Sequence, residues 1–430
     1  MEAPPVQATR RDFLKATAAI TGSALSLTQV PFVHAGGGDV IRIGLIGCGG
    51  RGTGAAKQAL RADEGVKLVA MGDAFRDRLD SSLESILKEK DLTDKVDVPE
   101  ARRHVGFDAF RQVIDQSDVV LLCTPPHFRP IHLKAAIDAG KHVFAEKPVA
   151  VDAPGVRAVE KACEEAARKK LSVVSGLCLR YSTNFREMME RIHAGAIGEI
   201  VSLQANDLRG RVWVKKREPN WTDMEWQMRN WYYFTWLSGD FNVEQHVHFL
   251  DTCAWALKNE YPARVTGMGG RQVRTAPEFG HIYDHFSVVY EYANGVRLHS
   301  QCRQQEGCDK EMSAFAAGTR GRAYISESKM HITGGASEWE KPGKEDNDFY
   351  QQEHIELFAG IRKGKPINNG AYMAKSTMMA IMARMAAYTG KTITWEMAMN
   401  SHEDLSPPKY DWNVALALPP VAMPGETTFR

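Results

Sequence analysis

The chain has 430 residues, beyond the size at which one hydrophobic core usually stops growing, so its length implies two domains. Lysine and arginine number 54 against 53 acidic residues, and a net charge of +1 gives no long-range electrostatic reason to expect nucleic acid or an anionic membrane as partner, local basic clusters aside. Seven scattered cysteines without a CxxC pair exclude a disulfide framework and the simplest zinc-ribbon and thioredoxin readings.

Residues 1–35 read as a targeting segment. Arg10-Arg11-Asp12-Phe13-Leu14-Lys15 precedes a mildly apolar stretch and a small-residue exit at Val33-His34-Ala35. The pattern resembles a twin-arginine export signal, which implies an exported, periplasmic protein whose mature chain begins near Gly36. Thr17, Thr21, Ser23, Ser26, Thr28 and Gln29 dilute the stretch too much for a strong membrane span, so no stable membrane insertion is expected. Gly36-Gly37-Gly38 reads as a flexible joint.

Residues 40–46 form a β-branched run that ends at Gly47-Cys48-Gly49-Gly50-Arg51-Gly52 and leads into an alanine-rich helix at 55–62. Further strands are read at 66–71, 119–123, 141–145 and 172–175, with helices at 131–139 and 153–168. This alternation predicts a parallel, doubly wound α/β sheet, and 36–176 is read as one domain. From 177 to 430 the pattern changes. Helices at 184–194, 353–362 and 373–389 accompany strands at 199–209, 263–273, 285–293 and 296–303. Six tryptophans at 213, 221, 226, 231, 236 and 255 form either a core plug or an aromatic wall for a sugar, and Trp231 is taken as substrate-binding. Cys302 and Cys308 are the pair spaced to invite a bridge, and the Pro-containing tail is expected across the surface.

Gly47, Gly49 and Gly52 make GxGxxG between a strand and a helix, and Asp73 ends the next strand 21 residues on. That context identifies a Rossmann dinucleotide site: a tight turn, backbone close to the pyrophosphate, and helix N–H groups facing negative charge. Asp73 on the ribose hydroxyls favours NAD over NADP, while Arg76 and Arg78 leave a 2′-phosphate conceivable. Gly50 and Arg51 belong to the same turn. Thr124, Pro125 and His127 follow the strand where the nicotinamide half would pass.

The segment Ala135-Ala136-Ile137-Asp138-Ala139-Gly140-Lys141-His142-Val143-Phe144-Ala145-Glu146-Lys147-Pro148 resembles the AGKHVxxEKP signature of the Gfo/Idh/MocA oxidoreductases. Gly195-Ala196-Ile197-Gly198-Glu199-Ile200 and 238–251 extend the resemblance over the mature chain. It implies a C-terminal α/β domain with a large open, mostly antiparallel sheet, a sugar or polyol substrate, and a homo-oligomer, dimer or tetramer, built through that sheet. It also implies that Glu146 and Lys147 lie at the cofactor and that Lys147 is catalytic. Its aspartate-histidine pair corresponds to Glu244 and His248 here, a departure at the acid. If the segment is one helix, the two share a face. Glu244, His246, His248 and Asp251 are competent metal ligands, but His246 and His248 would face different sides, and hydride transfer needs no metal, so none is expected. Arg180 and Tyr181 match a substrate-facing position. Tyr283, Asp284, His285, Arg303, Gln304 and Gln305 serve either a polyhydroxylated ligand or links within the sheet.

An exported enzyme has no ready pool to reoxidise NADH, so these readings converge on an NAD-dependent oxidoreductase of sugars or glycosides that recycles a tightly held cofactor. A redox-neutral glycosidase is the alternative, with Tyr181, Tyr283, His246 or Glu244 as base at C2. A noncatalytic sugar-binding protein is the reading from a different class.

Overall fold

The centre of the first sheet is built by short, apolar, mostly buried strands, the composition required when helices cover both faces. The computed structural model describes residues 40–335, 338–341 and 346–430; residues 1–35, read above as a targeting segment, and Gly36–Gly38, read as a joint, lie outside the described residues. Strands β1 (Ile41–Ile46), β2 (Val66–Asp73), β3 (Arg103–Val105), β4 (Val119–Leu122), β5 (His142–Ala145) and β6 (Val173–Ser175) are all parallel, in the order β3-β2-β1-β4-β5-β6. Helices α1 (Gly50–Ala62), α2 (Arg76–Leu87), α3 (Ala109–Gln116), α4 (Arg129–Asp138) and α5 (Ala153–Arg168) connect them. The order reverses between β1 and β4, which opens a crevice at the carboxyl ends of those strands.

Helix α6 (Thr183–His193) leads to the second sheet, whose nine strands among the described residues run β14-β13-β12-β11-β7-β10-β9-β8-β15. Its centre is β7 (Ile200–Arg209), β8 (Arg264–Gly270), β9 (His285–Glu291), β10 (Arg297–Gln304) and β11 (Glu311–Gly318). The rim is β12 (Arg322–Ile325), β13 (Met330–Thr333), β14 (Trp339–Glu340) and β15 (Ile393–Thr394). Only β7 and β10 pair in parallel; the other pairings are antiparallel.

Between β7 and β8 lie α7 (Asp223–Arg229), helical turns at Thr235–Ser238 and Phe241–Glu244, and α8 (Val247–Ala256). Later come α9 (Phe349–Arg362) and the long, almost wholly buried α10 (Gly370–Thr389). Buried residues of α8 and α10 join those of β7–β13 in one apolar core. Helix α9 instead returns to the first sheet: Leu357, Phe358 and Ile361 enter its core, and Arg362 forms an ion pair with Asp63 of the α1–β2 turn at 2.8 Å. All seven cysteines are free. Cys302 is buried with its thiol toward Asn242 Oδ1 at 3.5 Å and Cys308 is exposed, so the pair considered for a bridge is not joined.

Candidate active site

The glycine turn is dictated by space. Gly47 sits at φ +96°, and a Cβ there would fall 2.5 Å from the Thr124 amide nitrogen; one on Gly52 would fall 1.9 Å from the Gly47 carbonyl. Gly49 and Gly50 face open space. The first turn of α1 carries no acidic side chain, and no side chain caps it, which leaves its N–H groups to an anion. At the end of β2, Asp73 turns inward: Oδ2 accepts from the Cys48 amide at 2.6 Å and Oδ1 from the Phe75 amide at 2.9 Å. Burial raises its pKa, and these two amides oppose that effect. A cavity of about 500 Å³ runs past this turn, lined by Gly47, Gly49, Gly50, Arg51, Gly52, Asp73, Thr124 and Pro125. The residues present therefore fit a dinucleotide.

Arg129, 1% exposed, fastens two strand ends at this crevice. Its guanidinium donates to the Glu146 carbonyl at 2.8 Å and to the Thr124 carbonyl at 2.7 Å, and burial pulls its pKa down to about 10. Arg51 reaches away from the turn to Glu146 at 2.5 Å and toward Glu353 of α9 at 3.4 Å. Glu353 is fully buried, and desolvation with the nearby Glu146 charge raises its pKa. Glu146 also accepts from the Lys147 amide at 3.1 Å, so one carboxylate joins the glycine turn to the lysine.

Lys147 Nζ donates to the Glu244 carbonyl at 2.7 Å and to Glu244 Oε1 at 3.0 Å. His248 stands beside them. Burial first, and then the charges of Lys147 and Arg209, hold its pKa well below the ordinary imidazole value, and its Nδ1 is buried without a protein partner. The segment is not one helix. The turn Phe241–Glu244 ends before Gln245, and α8 starts at Val247, so the meeting of Glu244 and His248 with Lys147 comes from this break rather than from one helical face. His246 is a core residue with Nε2 2.8 Å from Ser300 Oγ. Among the described residues no group of three His, Cys, Asp or Glu is placed to hold a metal ion.

Other sequence candidates are held elsewhere. Arg180 makes a two-point buried ion pair with Asp251, both bonds 2.8 Å. The Tyr181 hydroxyl donates to Asn369 at 2.8 Å, and the Tyr283 hydroxyl donates to the Ala422 carbonyl at 2.9 Å. His285 lies against Asp284 at 2.7 Å, and Arg303 donates to the Asp309 carbonyl at 2.8 Å. Asp284, fully buried, accepts from the backbone of Gln272, Val273 and Arg274; the links are internal to this region. His127 is 2.7 Å from the Tyr410 hydroxyl of the C-terminal tail. Trp231 lines the dinucleotide cavity.

Sequence reasoning missed Asp207 and Arg209 near the end of β7. They pair with each other, and Asp207 Oδ2 is buried with no protein partner. The charges of Lys147 and Glu244 act on Asp207, that of Glu244 acts on Arg209, and that of Arg209 acts on His248. Asp207 and Arg209 share the face of β7 that is otherwise Val201, Leu203 and Ala205, and two charges on that apolar face were the available signal.

Residues 41–176 match the model of the oxidoreductase family with an NAD-binding Rossmann fold, and 185–324 match the GFO/IDH/MocA C-terminal domain. The chain belongs to the Gfo/Idh/MocA oxidoreductase family. Within it, the chain is 29% identical to an inositol 2-dehydrogenase of Saccharopolyspora erythraea over 260 residues, 60% of this chain and 65% of that one. It is 29% identical to a Glycosyl hydrolase family 109 protein of Solibacter usitatus over half of each chain. The chain thus spans only half to about two thirds of these Gfo/Idh/MocA relatives. An aldose-aldose oxidoreductase from Caulobacter crescentus, solved with glycerol, shares the fold at a TM-score of 0.63 and 18% identity, covering 83% of this chain and 99% of that one.

Proposed function

We propose that this protein oxidises a hydroxyl of a sugar or glycoside with NAD and restores the cofactor within the same catalytic cycle. The observation that carries the reading is the convergence of Lys147, Glu244 and His248, from two domains, beside the carboxyl ends of the parallel strands. NAD is favoured over NADP because a 2′-phosphate would meet the Asp73 carboxylate. Arg76 is already engaged by Glu100 and Asp80, whereas Arg78 lines the cavity.

Bound dinucleotide would supply the acceptor and donor of hydride. Lys147 donates a hydrogen bond to the reacting oxygen and stabilises it as charge develops. His248, kept neutral by burial, accepts the hydroxyl proton and returns it when the ketone is reduced. Glu244 fixes the lysine head and accepts from a neighbouring substrate hydroxyl. Asp207 Oδ2 offers a further acceptor on the same side.

Likeness to a Glycosyl hydrolase family 109 protein supports a second redox-neutral outcome. In it, a transient C3 ketone acidifies the C2 hydrogen, a base removes that proton, and the glycosidic oxygen leaves C1. Water adds to C1, C2 regains a proton, and the ketone is reduced. Tyr181, Tyr283 and His246 are bonded away from Lys147, to Asn369, the Ala422 carbonyl and Ser300, whereas Glu244 stands against the lysine and is taken as the base. The remaining parts of the proposal are export by the twin-arginine route and a dimer or tetramer joined through the outer face of the second sheet. On that face Met268 is 72% exposed, and Phe315 pairs with Tyr324.

Aryl glycosides and free sugars, incubated in deuterated water with no added nucleotide, test the chemistry. Deuterium at C2 of a released sugar supports elimination and hydration; oxidised and reduced sugars without it support transfer between two sugars. No product from either class would refute the proposal.

A further inference from the structure

The cavity beside the glycine turn has two walls of different origin. Its inner wall belongs to the first sheet and includes Asp73, Phe75, Arg78 and Phe107. Its outer wall is Trp213, Lys215, Met228, Arg229 and Trp231, all from the connection between β7 and the Phe241–Glu244 turn. The inner set includes the acid that addresses the ribose in this fold, so the outer set faces the adenosine half of a dinucleotide. In an open doubly wound sheet that half would otherwise lie at the solvent edge.

The outer wall is fastened. Both terminal nitrogens of Arg229 reach the two oxygens of Asp77 on α2 at 3.0 Å, and the guanidinium lies 4.0 Å from the centre of the Phe75 ring. Lys215 is tied back to Asn230 through its amide at 2.8 Å, and Trp213 packs against Trp231 with ring centres 5.9 Å apart. The C-terminal tail completes the arrangement. Trp412 packs on Phe75 and Phe107 at 5.2 and 4.5 Å, and the Leu416 carbonyl accepts from Gln227 of α7 at 3.0 Å. The tail thus holds the inner aromatic wall and the outer segment together.

We infer that Trp213, Lys215 and Trp231 form an adenosine-binding wall contributed by the substrate domain, latched to the nucleotide domain by Arg229 on Asp77, and that the dinucleotide leaves only when this wall lifts. The inference rests on the dinucleotide reading of the cavity and deepens the retained-cofactor reading by naming the groups that retain it. Across to the nucleotide domain Arg229 contributes both an ion pair and a ring contact, whereas Asp77 contributes the ion pair alone. The two substitutions therefore differ in expected size.

The test is the dissociation rate of NADH from the full-length protein, read by loss of energy transfer from tryptophan to bound NADH after dilution or chase with NAD. Arg229→Ala should speed release roughly tenfold and Asp77→Ala roughly threefold, because affinity differences among close variants reside mostly in the off-rate. The double variant should match Arg229→Ala. Trp213→Ala with Trp231→Ala should both speed release and lower the transfer signal. Asp77 is exposed, so its variant keeps the comparison valid if another fails to fold. Off-rates within about twofold of the parent for Asp77→Ala and for every other variant that folds would overturn the wall. A requirement for added NAD during turnover would instead remove the closed cycle while leaving the wall in place.

Discussion

Lys147 spends its hydrogen bonds on a single residue, the carbonyl and carboxylate of Glu244, and the histidine next to them keeps a nitrogen without a partner. A buried ring nitrogen in that condition is expensive unless a ligand uses it. Replacing Lys147 or His248 by alanine should therefore leave the dinucleotide bound but slow hydride transfer by ~100- to 10,000-fold, followed by rapid-mixing absorbance of the reduced nicotinamide. Unchanged rates in both would remove them from the chemistry. Arg180 makes the opposite case. Its guanidinium and Asp251 are both buried, so Arg180→Ala should destabilise the fold by about 3 to 5 kcal/mol in denaturant unfolding by stranding a carboxylate. A stable Arg180→Ala protein with a raised KM would return the residue to the substrate.

At the level of elements, the glycine turn makes a sharper prediction than its motif alone. A Cβ on Gly52 would collide with the Gly47 carbonyl at 1.9 Å, so Gly52→Ala must push α1 away from the turn. The variant should purify with far less nucleotide than the parent, measured by absorbance of the denatured supernatant; equal content would show that the turn tolerates the shift. Much of this region was legible in sequence. Strong cues, strand then glycines then alanine-rich helix, placed β1 and α1, and the limits of α5 are those expected. The outer part of the second sheet was not. β11 reads Glu-Met-Ser-Ala-Phe-Ala-Ala-Gly, small residues without strong β character, and β12 and β13 have four residues each, too few for a period to show. Trp213 and Trp231 were legible as an aromatic cluster but not as a cofactor wall, since only the folded β7–α8 connection carries them to the other domain. Glu244 and His248 were found through the family pattern, although the helix expected to align them is broken.

Across the whole molecule, burial of neutral imidazoles sets the dependence of stability on pH. His127 and His281 are pulled down to about 4, and His132 and His246 to about 3, in each case first by desolvation. Unfolded, all four bind protons below about 6.5, whereas the folded chain does not until far lower pH, so stability falls as pH drops through that value. Asp240, raised to about 6 by burial, acts in the opposite sense between about 3.9 and 6, because the folded state keeps its proton longer. Glu353, raised by burial and by the Glu146 charge, acts in the same sense as Asp240, but these two do not offset the four histidines together with His248 and His354, which burial also lowers. The melting temperature should decline from pH 7 to pH 5, and a rise over that interval would contradict this balance. The same scale holds the central claim, that one dinucleotide serves many turnovers. Protein purified with no nucleotide added should be given a competent sugar or glycoside and no further NAD, and product counted per active site. The account predicts many product molecules per site with no accumulation of free NADH; a single turnover that stops until NAD is added, with one NADH released per product, would contradict it.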